Sequence, residues 1–220
     1  MSLSVALLGA TGLVGRDCLQ LLLRDDRFAR VVTIGRRALP PELVARADRS
    51  KLTERVVDMD RLAESADALE VDRVICALGT TMKQAGSREA FRRVDHDIPL
   101  EAARIALARG AAHYLLVSAL GASATSRVFY NRVKGEIETA VLALPFRATT
   151  IVRPSLLLGD REESRPGERA GKAVAWLIPG RWRPVRAHDV ARTLVDEAAS
   201  DRAGARIVES EQIRAHAAMR

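Results

Sequence analysis

Two residues four apart, Tyr130 and Lys134, are the pair in this chain best able to move a proton. On a helix, positions i and i+4 share one face, so phenol and ammonium would point the same way. A free tyrosine has a pKa near 10 and keeps its proton at neutral pH. A neighbouring cation favours phenolate, which would let Tyr130 give or take a proton at a reacting oxygen. Two tyrosines and four lysines among 220 residues supply roughly 0.04 such pairs by chance (2 × 4/220), so the spacing carries information.

A second constellation lies near the start. Val5-Ala6-Leu7-Leu8 runs into Gly9-Ala10-Thr11-Gly12-Leu13-Val14-Gly15, and an apolar-periodic segment follows. The pattern reads as a buried strand, a tight turn and a helix start. A turn this sharp needs the backbone freedom of Gly9. A pyrophosphate can approach where Gly12 has no Cβ, and Gly15 lets the helix pack closely on the strand. The helix start adds free N–H groups and the positive end of its dipole. The second strand ends at Gly35-Arg36-Arg37. An acid at that place would bond the ribose hydroxyls of NAD, whereas the planar fork of arginine suits a 2′-phosphate. The expected cofactor is therefore NADP(H).

The surrounding elements must position these groups. Strands are expected at Val5–Leu8, Val31–Ile34, Arg55–Val57, Arg73–Ala77, Tyr114–Ser118, Thr149–Val152 and Arg206–Val208. Helices are expected at Leu13–Leu23, Arg61–Leu69, Ser87–Arg109 with a kink or break at Pro99, Arg127–Leu144 and Asp189–Ala199. Asp160–Arg169 reads as a charged surface loop or lid, and Ala173–Ile178 as a short apolar helix. The alternation predicts an α/β fold: a doubly wound, Rossmann-type parallel sheet of about seven strands with helices on both faces. It forms one domain over 1–220, with a lid and substrate-pocket insertion at 155–186. The ligand crevice of such a sheet lies at the carboxyl ends of its strands. That rule gathers Gly9, Thr11, Gly12, Leu13, Val14, Gly15, Arg36, Arg37, Asp58, Met59, Leu78, Gly79, Thr80, Ser118, Arg153, Pro154 and Ser155 along one crevice.

Bulk properties narrow the classes. The chain is 48% hydrophobic, enough for a well-cored domain. Nothing in it resembles a membrane span or a signal peptide, so no membrane is expected. A net charge of +7 could suit nucleic acid, but the basic residues are scattered among acids and aromatics make up only 4%. Specific nucleic-acid binding is not expected. Cys18 and Cys76 lie in apolar surroundings without metal or disulfide spacing, and read as reduced core residues of a cytoplasmic protein. His96, His113, His188 and His216 are scattered, so no metal site is expected. Asp95-His96-Asp97 reads as a solvated helix face, and His188-Asp189 as a helix start. Trp176 and Trp182 would fill a C-terminal core or line a substrate pocket.

The glycine turn and the Tyr130-x-x-x-Lys134 pair resemble the short-chain dehydrogenase/reductase superfamily. Cys76-Ala-Leu-Gly-Thr-Thr81, the run from Tyr130 through Glu136, and Arg153-Pro-Ser-Leu-Leu-Leu-Gly-Asp-Arg-Glu-Glu-Ser-Arg-Pro-Gly-Glu168 are similar to its atypical branch, typified by the human HIV Tat-interacting protein 2 oxidoreductase and its bacterial relatives. The similarity spans nearly the whole chain. It implies NADPH in the crevice and hydride transfer to or from a small carbonyl or alcohol. Tyr130 would be the general acid–base, and Lys134 would hold the nicotinamide ribose. A serine after the fifth strand would bond the substrate oxygen; Ser118 or Ser123 fills that place, or it is vacant. The asparagine that many members carry on the fourth helix is absent near Val94-Asp95-His96. Those departures keep open an NADPH-binding, redox-sensing regulator that acts through a protein partner, and a weaker third idea, isomerisation or dehydration with a retained cofactor. The long helices leave monomer and homodimer equally open.

Overall fold

The computed structural model describes residues 2–45, 48–158 and 180–219. Seven strands form one wholly parallel sheet: β1 Leu3–Leu8, β2 Phe28–Gly35, β3 Leu52–Val56, β4 Arg73–Cys76, β5 His113–Val117, β6 Ala148–Arg153 and, last in the chain, β9 Gly204–Glu209. Their order is β3-β2-β1-β4-β5-β6-β9, so the direction of winding reverses at β1. Two residues each from β7 (Leu157–Leu158) and β8 (Val185–Arg186) make a separate parallel pair.

The unbroken apolar runs arise because both sheet faces are covered. Along β1, Val5 and Leu7 enter one cluster while Ala6 and Leu8 enter the other. The first face packs α1 (Leu13–Arg24) and α7 (Ala187–Ala198) through Leu19, Leu22, Val190 and Leu194. The second packs α5 (Ile98–Ala108) and α6 (Phe129–Leu142) through Ala102, Ala106, Ile137 and Val141. Cys18 and Cys76 are buried free thiols on opposite faces, which keeps them apart. Short helices α2 (Pro41–Val44), α3 (Met82–Ala85) and α4 (Arg88–Arg92) lie in connections, and α8 (Ser210–Ala218) follows β9.

Two expectations change. The helix expected at Arg61–Leu69 is a run of 3₁₀ turns over Met59–Leu69, interrupted by non-helical Arg61 and Ser65. The third strand occupies Leu52–Val56, earlier than Arg55–Val57. The segment Ser87–Arg109 breaks into α4, a π-helical turn at Arg93–Asp97, and α5. The break falls beside Pro99, as expected: the π-helical turn ends directly before Ile98-Pro99, where Ile98 N–H bonds Arg93 O five residues back and Pro99 has no N–H to give. The lid at Asp160–Arg169, the helix at Ala173–Ile178 and Trp176 lie outside the described residues.

Candidate active site

The turn after β1 is shaped by contacts that exclude side chains. Gly9 has a φ of 85°, and a Cβ there would come within 2.6 Å of Ala77 O. A Cβ on Gly15 would lie 2.0 Å from Gly9 O, so the first turn of α1 rests directly on the loop. The N–H of Gly12 donates to Gly9 O at 2.9 Å. Gly12 caps α1 without a side-chain bond, and no acid occupies the first turn, which leaves the helix start positive and open.

Beside this turn lies a cleft of about 960 Å³. Gly9, Thr11, Gly12, Arg36, Arg37, Asp58, Met59, Leu78, Gly79 and Thr80 line it, at the carboxyl ends of β1 to β4. Leu13, Val14 and Gly15 stand behind it in α1, with Val14 in the core. Ser118, Tyr130, Lys134, Arg153 and Pro154 do not line it. Arg36 and Arg37 are exposed and have no hydrogen-bond or ion-pair partner among the described residues. The three carboxylates of the cleft are occupied. Glu54 accepts from Leu39 N at 2.8 Å, Asp58 from Asp60 N at 2.9 Å, and Asp60 pairs with Arg93 at 2.8 Å.

Tyr130 and Lys134 share the inner face of α6. The Tyr130 ring is half-buried and packs on Phe91 at 5.5 Å between centroids. Lys134 is buried, and its Nζ lies 2.8 Å from Asp95 Oδ1. The approach is oblique: the contact is ionic, and Oδ1 has no aligned hydrogen bond. Asp95 Oδ2 accepts from Thr80 N at 2.9 Å. Burial alone would drive the Lys134 ammonium to shed its proton, but the Asp95 carboxylate, with Tyr130, more than offsets it, and the net shift is upward. A Cβ on Gly79 would lie 3.9 Å from Lys134 Nζ and 3.5 Å from Asp95 Oδ1, so the pair sits just behind the cleft wall.

Asp95 is thus not on a solvated face. It is 1% exposed. Its spacing explains this: Phe91, Asp95, Ile98 and Ala102 fall four, three and four apart, one stripe whose other members are apolar and buried. The acid occupies a core position of that stripe, and the signal was its phase.

Ser118, just past β5, is buried, and its hydroxyl donates to Glu138. Glu138 lies one turn beyond Lys134 and was not singled out by the sequence. It binds Arg153, whose Nε and Nη2 reach Oε1 at 3.0 Å and Oε2 at 2.5 Å. Arg153 Nη1 also meets Glu209 at 2.9 Å. Hydrogen bonding to Glu138 raises the Arg153 pKa despite partial burial. Ser123 lies on an exposed loop held to α6 by its N–H bond to Asn131 O at 3.0 Å. Among the remaining residues, His188 lies in the first turn of α7 and Trp182 is exposed. No helix among the described residues is long and apolar enough to cross a membrane.

The wholly parallel sheet, wound in both directions from β1 and covered on both faces, is a Rossmann-type α/β fold. No family model matches the chain. It is 40% identical over 180 residues to the protein HTATIP2 of Rattus norvegicus, covering 81% of this chain and 73% of that one. It is 42% identical over 178 residues to the mitochondrial protein fmp52 of Emericella nidulans, covering 80% and 76%. The chain belongs to this HTATIP2/fmp52 family. The solved structure of the Bordetella bronchiseptica enzyme WbmG in complex with NAD superimposes with a TM-score of 0.67 at 14% identity, covering 95% of this chain and 73% of that one, a likeness of fold.

The relatives correct one expectation. The fungal proteins carry a mitochondrial designation, so the cytoplasmic assignment does not stand. It rested largely on Cys18 and Cys76. Their burial shields them in any compartment, so they do not report the redox state outside.

Proposed function

We propose that the chain is an NADPH-dependent oxidoreductase acting on a small carbonyl or alcohol, with Tyr130 as general acid–base. The observation that carries this reading is the charge pattern at the end of β2: Arg36 and Arg37 open on the cleft without partners among the described residues, while Glu54, Asp58 and Asp60 are all engaged. Two free guanidinium groups suit a phosphate better than a hydroxyl. The glycine cradle, where added Cβ atoms would clash, and the uncapped start of α1 suit a pyrophosphate. The NAD-bound WbmG structure of the same fold supports a nicotinamide dinucleotide.

The bound dinucleotide supplies or accepts the hydride. The chain does the rest. Arg36 and Arg37 would hold a 2′-phosphate, and Asp58, Met59, Leu78, Gly79 and Thr80, which line the same cleft, would hold the rest of the dinucleotide. Lys134, behind the cleft wall at Gly79, would hold the ribose hydroxyls, and Tyr130 would give or take the proton at the substrate oxygen. Ser118 serves that oxygen by turning its hydroxyl away from Glu138, and Arg153 and Pro154 border the substrate side.

Calorimetric titration with NADPH and NADH, together with Tyr130→Phe, tests this. NADPH should bind at least about tenfold tighter than NADH if a charge-assisted phosphate contact is present. Tyr130→Phe should keep that affinity and lose turnover across aldehydes and ketones; surviving turnover refutes the assigned acid–base. One observation favours a second reading, a redox-sensing regulator: the Ser118 hydroxyl is already committed to Glu138. Tight NADPH binding without turnover of any aldehyde or ketone would decide for it.

A further inference from the structure

One buried carboxylate touches both the cleft wall and the ammonium of the proposed reacting pair. Asp95 Oδ2 takes the N–H of Thr80, a cleft-lining residue, and Oδ1 stands 2.8 Å from Lys134 Nζ. It reaches them from the π-helical turn between α4 and α5, where the wider backbone loop departs from α-helical winding. Both partners are almost fully removed from water, Asp95 at 1% and Lys134 at 5% side-chain exposure. Such a pair is costly to desolvate, and replacement by apolar groups is often neutral or stabilising. Its presence calls for a role.

We propose that Asp95 is the positioning residue of the Tyr130–Lys134 pair, anchoring the Lys134 ammonium with one oxygen while the other fixes the cleft wall at Thr80. The inference rests on the reading of Lys134 as a ribose-holding cation. Lys134 has few other anchors. Val117 O lies 3.5 Å from Nζ, Tyr130 faces it from its own helix, and Cys76 faces it from β4. Glu138, one turn further along α6, is taken by Arg153 and Ser118. Remove the Asp95 charge and the ammonium is left in a site where burial favours the neutral amine. Lys134 would then lose its charge within the working pH range, and the cleft would lose a cation as pH rises.

The test is Asp95→Asn, which keeps size and removes charge. The chain has four lysines, Lys51, Lys83, Lys134 and Lys172, so carbon-13 labelling at lysine Cε gives few resonances, and Lys134→Arg assigns the one of interest. In the wild type the Lys134 amine should titrate above its ordinary 10.5. In Asp95→Asn it should fall by about two units or more, as buried lysines without a counter-charge do. NADPH affinity, flat from pH 7 to pH 9 in the wild type, should weaken by about fourfold or more over that range in the variant, following the amine. Unchanged titration and an unchanged pH profile in Asp95→Asn overturn the proposal. So does a wild-type amine that titrates below 10.5, a reading that needs no variant should Asp95→Asn fail to fold. If the wild type binds no NADPH, the cofactor reading fails, and the amine titration still decides the role of Asp95.

Discussion

His113 gives the stability of this protein a pH dependence that can be worked out from its surroundings. It opens β5, an interior strand, at the end of the sheet opposite the cleft and is 2% exposed. Nε2 lies 2.9 Å from Thr150 Oγ1, and Nδ1 has no partner among the described residues. Burial first, and the charge of Arg73 on the adjacent strand second, push the imidazole pKa down to about 4 from an ordinary 6.5. Above the ordinary value the ring is neutral in both folded and unfolded chains, and the shift costs nothing. As pH falls from 6.5 toward 4, the unfolded chain takes a proton that the folded one refuses, so stability drops. At 1.36 kcal/mol per pH unit the loss reaches about 3 kcal/mol. Urea unfolding of the wild type and of His113→Gln, run at several pH values from 7.5 to 4, measures it. The difference between the two proteins should change by about 3 kcal/mol across that window, with the wild type losing more. A difference that stays flat with pH refutes the reasoning.

Other perturbations reach the site itself. Gly135 packs against the loop before α6, where a Cβ would fall 2.1 Å from Ser123 C and 2.2 Å from Ala124 N. Gly135→Ala should therefore lower stability by about 3 kcal/mol or more in chemical denaturation, because backbone must move. Arg36→Ala and Arg37→Ala should each weaken NADPH by about ten- to a hundredfold in calorimetry and leave NADH nearly unchanged. Glu138→Gln leaves Arg153 with Glu209 as its one carboxylate partner among the described residues. It should cost about 3 kcal/mol in urea unfolding, the scale for breaking a buried pair from one side.

The fold was legible because its strands announce themselves. Val5–Leu8 and Val74–Ala77 are short apolar runs, and α1 and α6 carry clean helical periods. The cleft was legible from topology, since β1 to β4 end where the rule for parallel sheets puts a ligand. What escaped reading was mostly charge in the interior. Asp95 and Glu138 look like surface acids until their partners, Lys134 and Arg153, are brought across from other elements. The β7–β8 pair joins only two residues from each strand, too few for any period. The exposed edge strand β3 shows a poor alternation, so its start was misplaced.

The strand order also sets a timetable. β6 carries the fully buried Ile151 and Val152, yet its outer side is closed by Gly204–Glu209, about fifty residues later. On the ribosome the other six strands are made before this neighbour exists. A chain that terminated ahead of Gly204 would leave the tunnel with an open, apolar sheet edge, the kind of surface that recruits other strands. Early stops and C-terminal trimming therefore threaten solubility as much as folding, and they do so at the end of the sheet farthest from β3 and the Arg36–Arg37 side of the cleft.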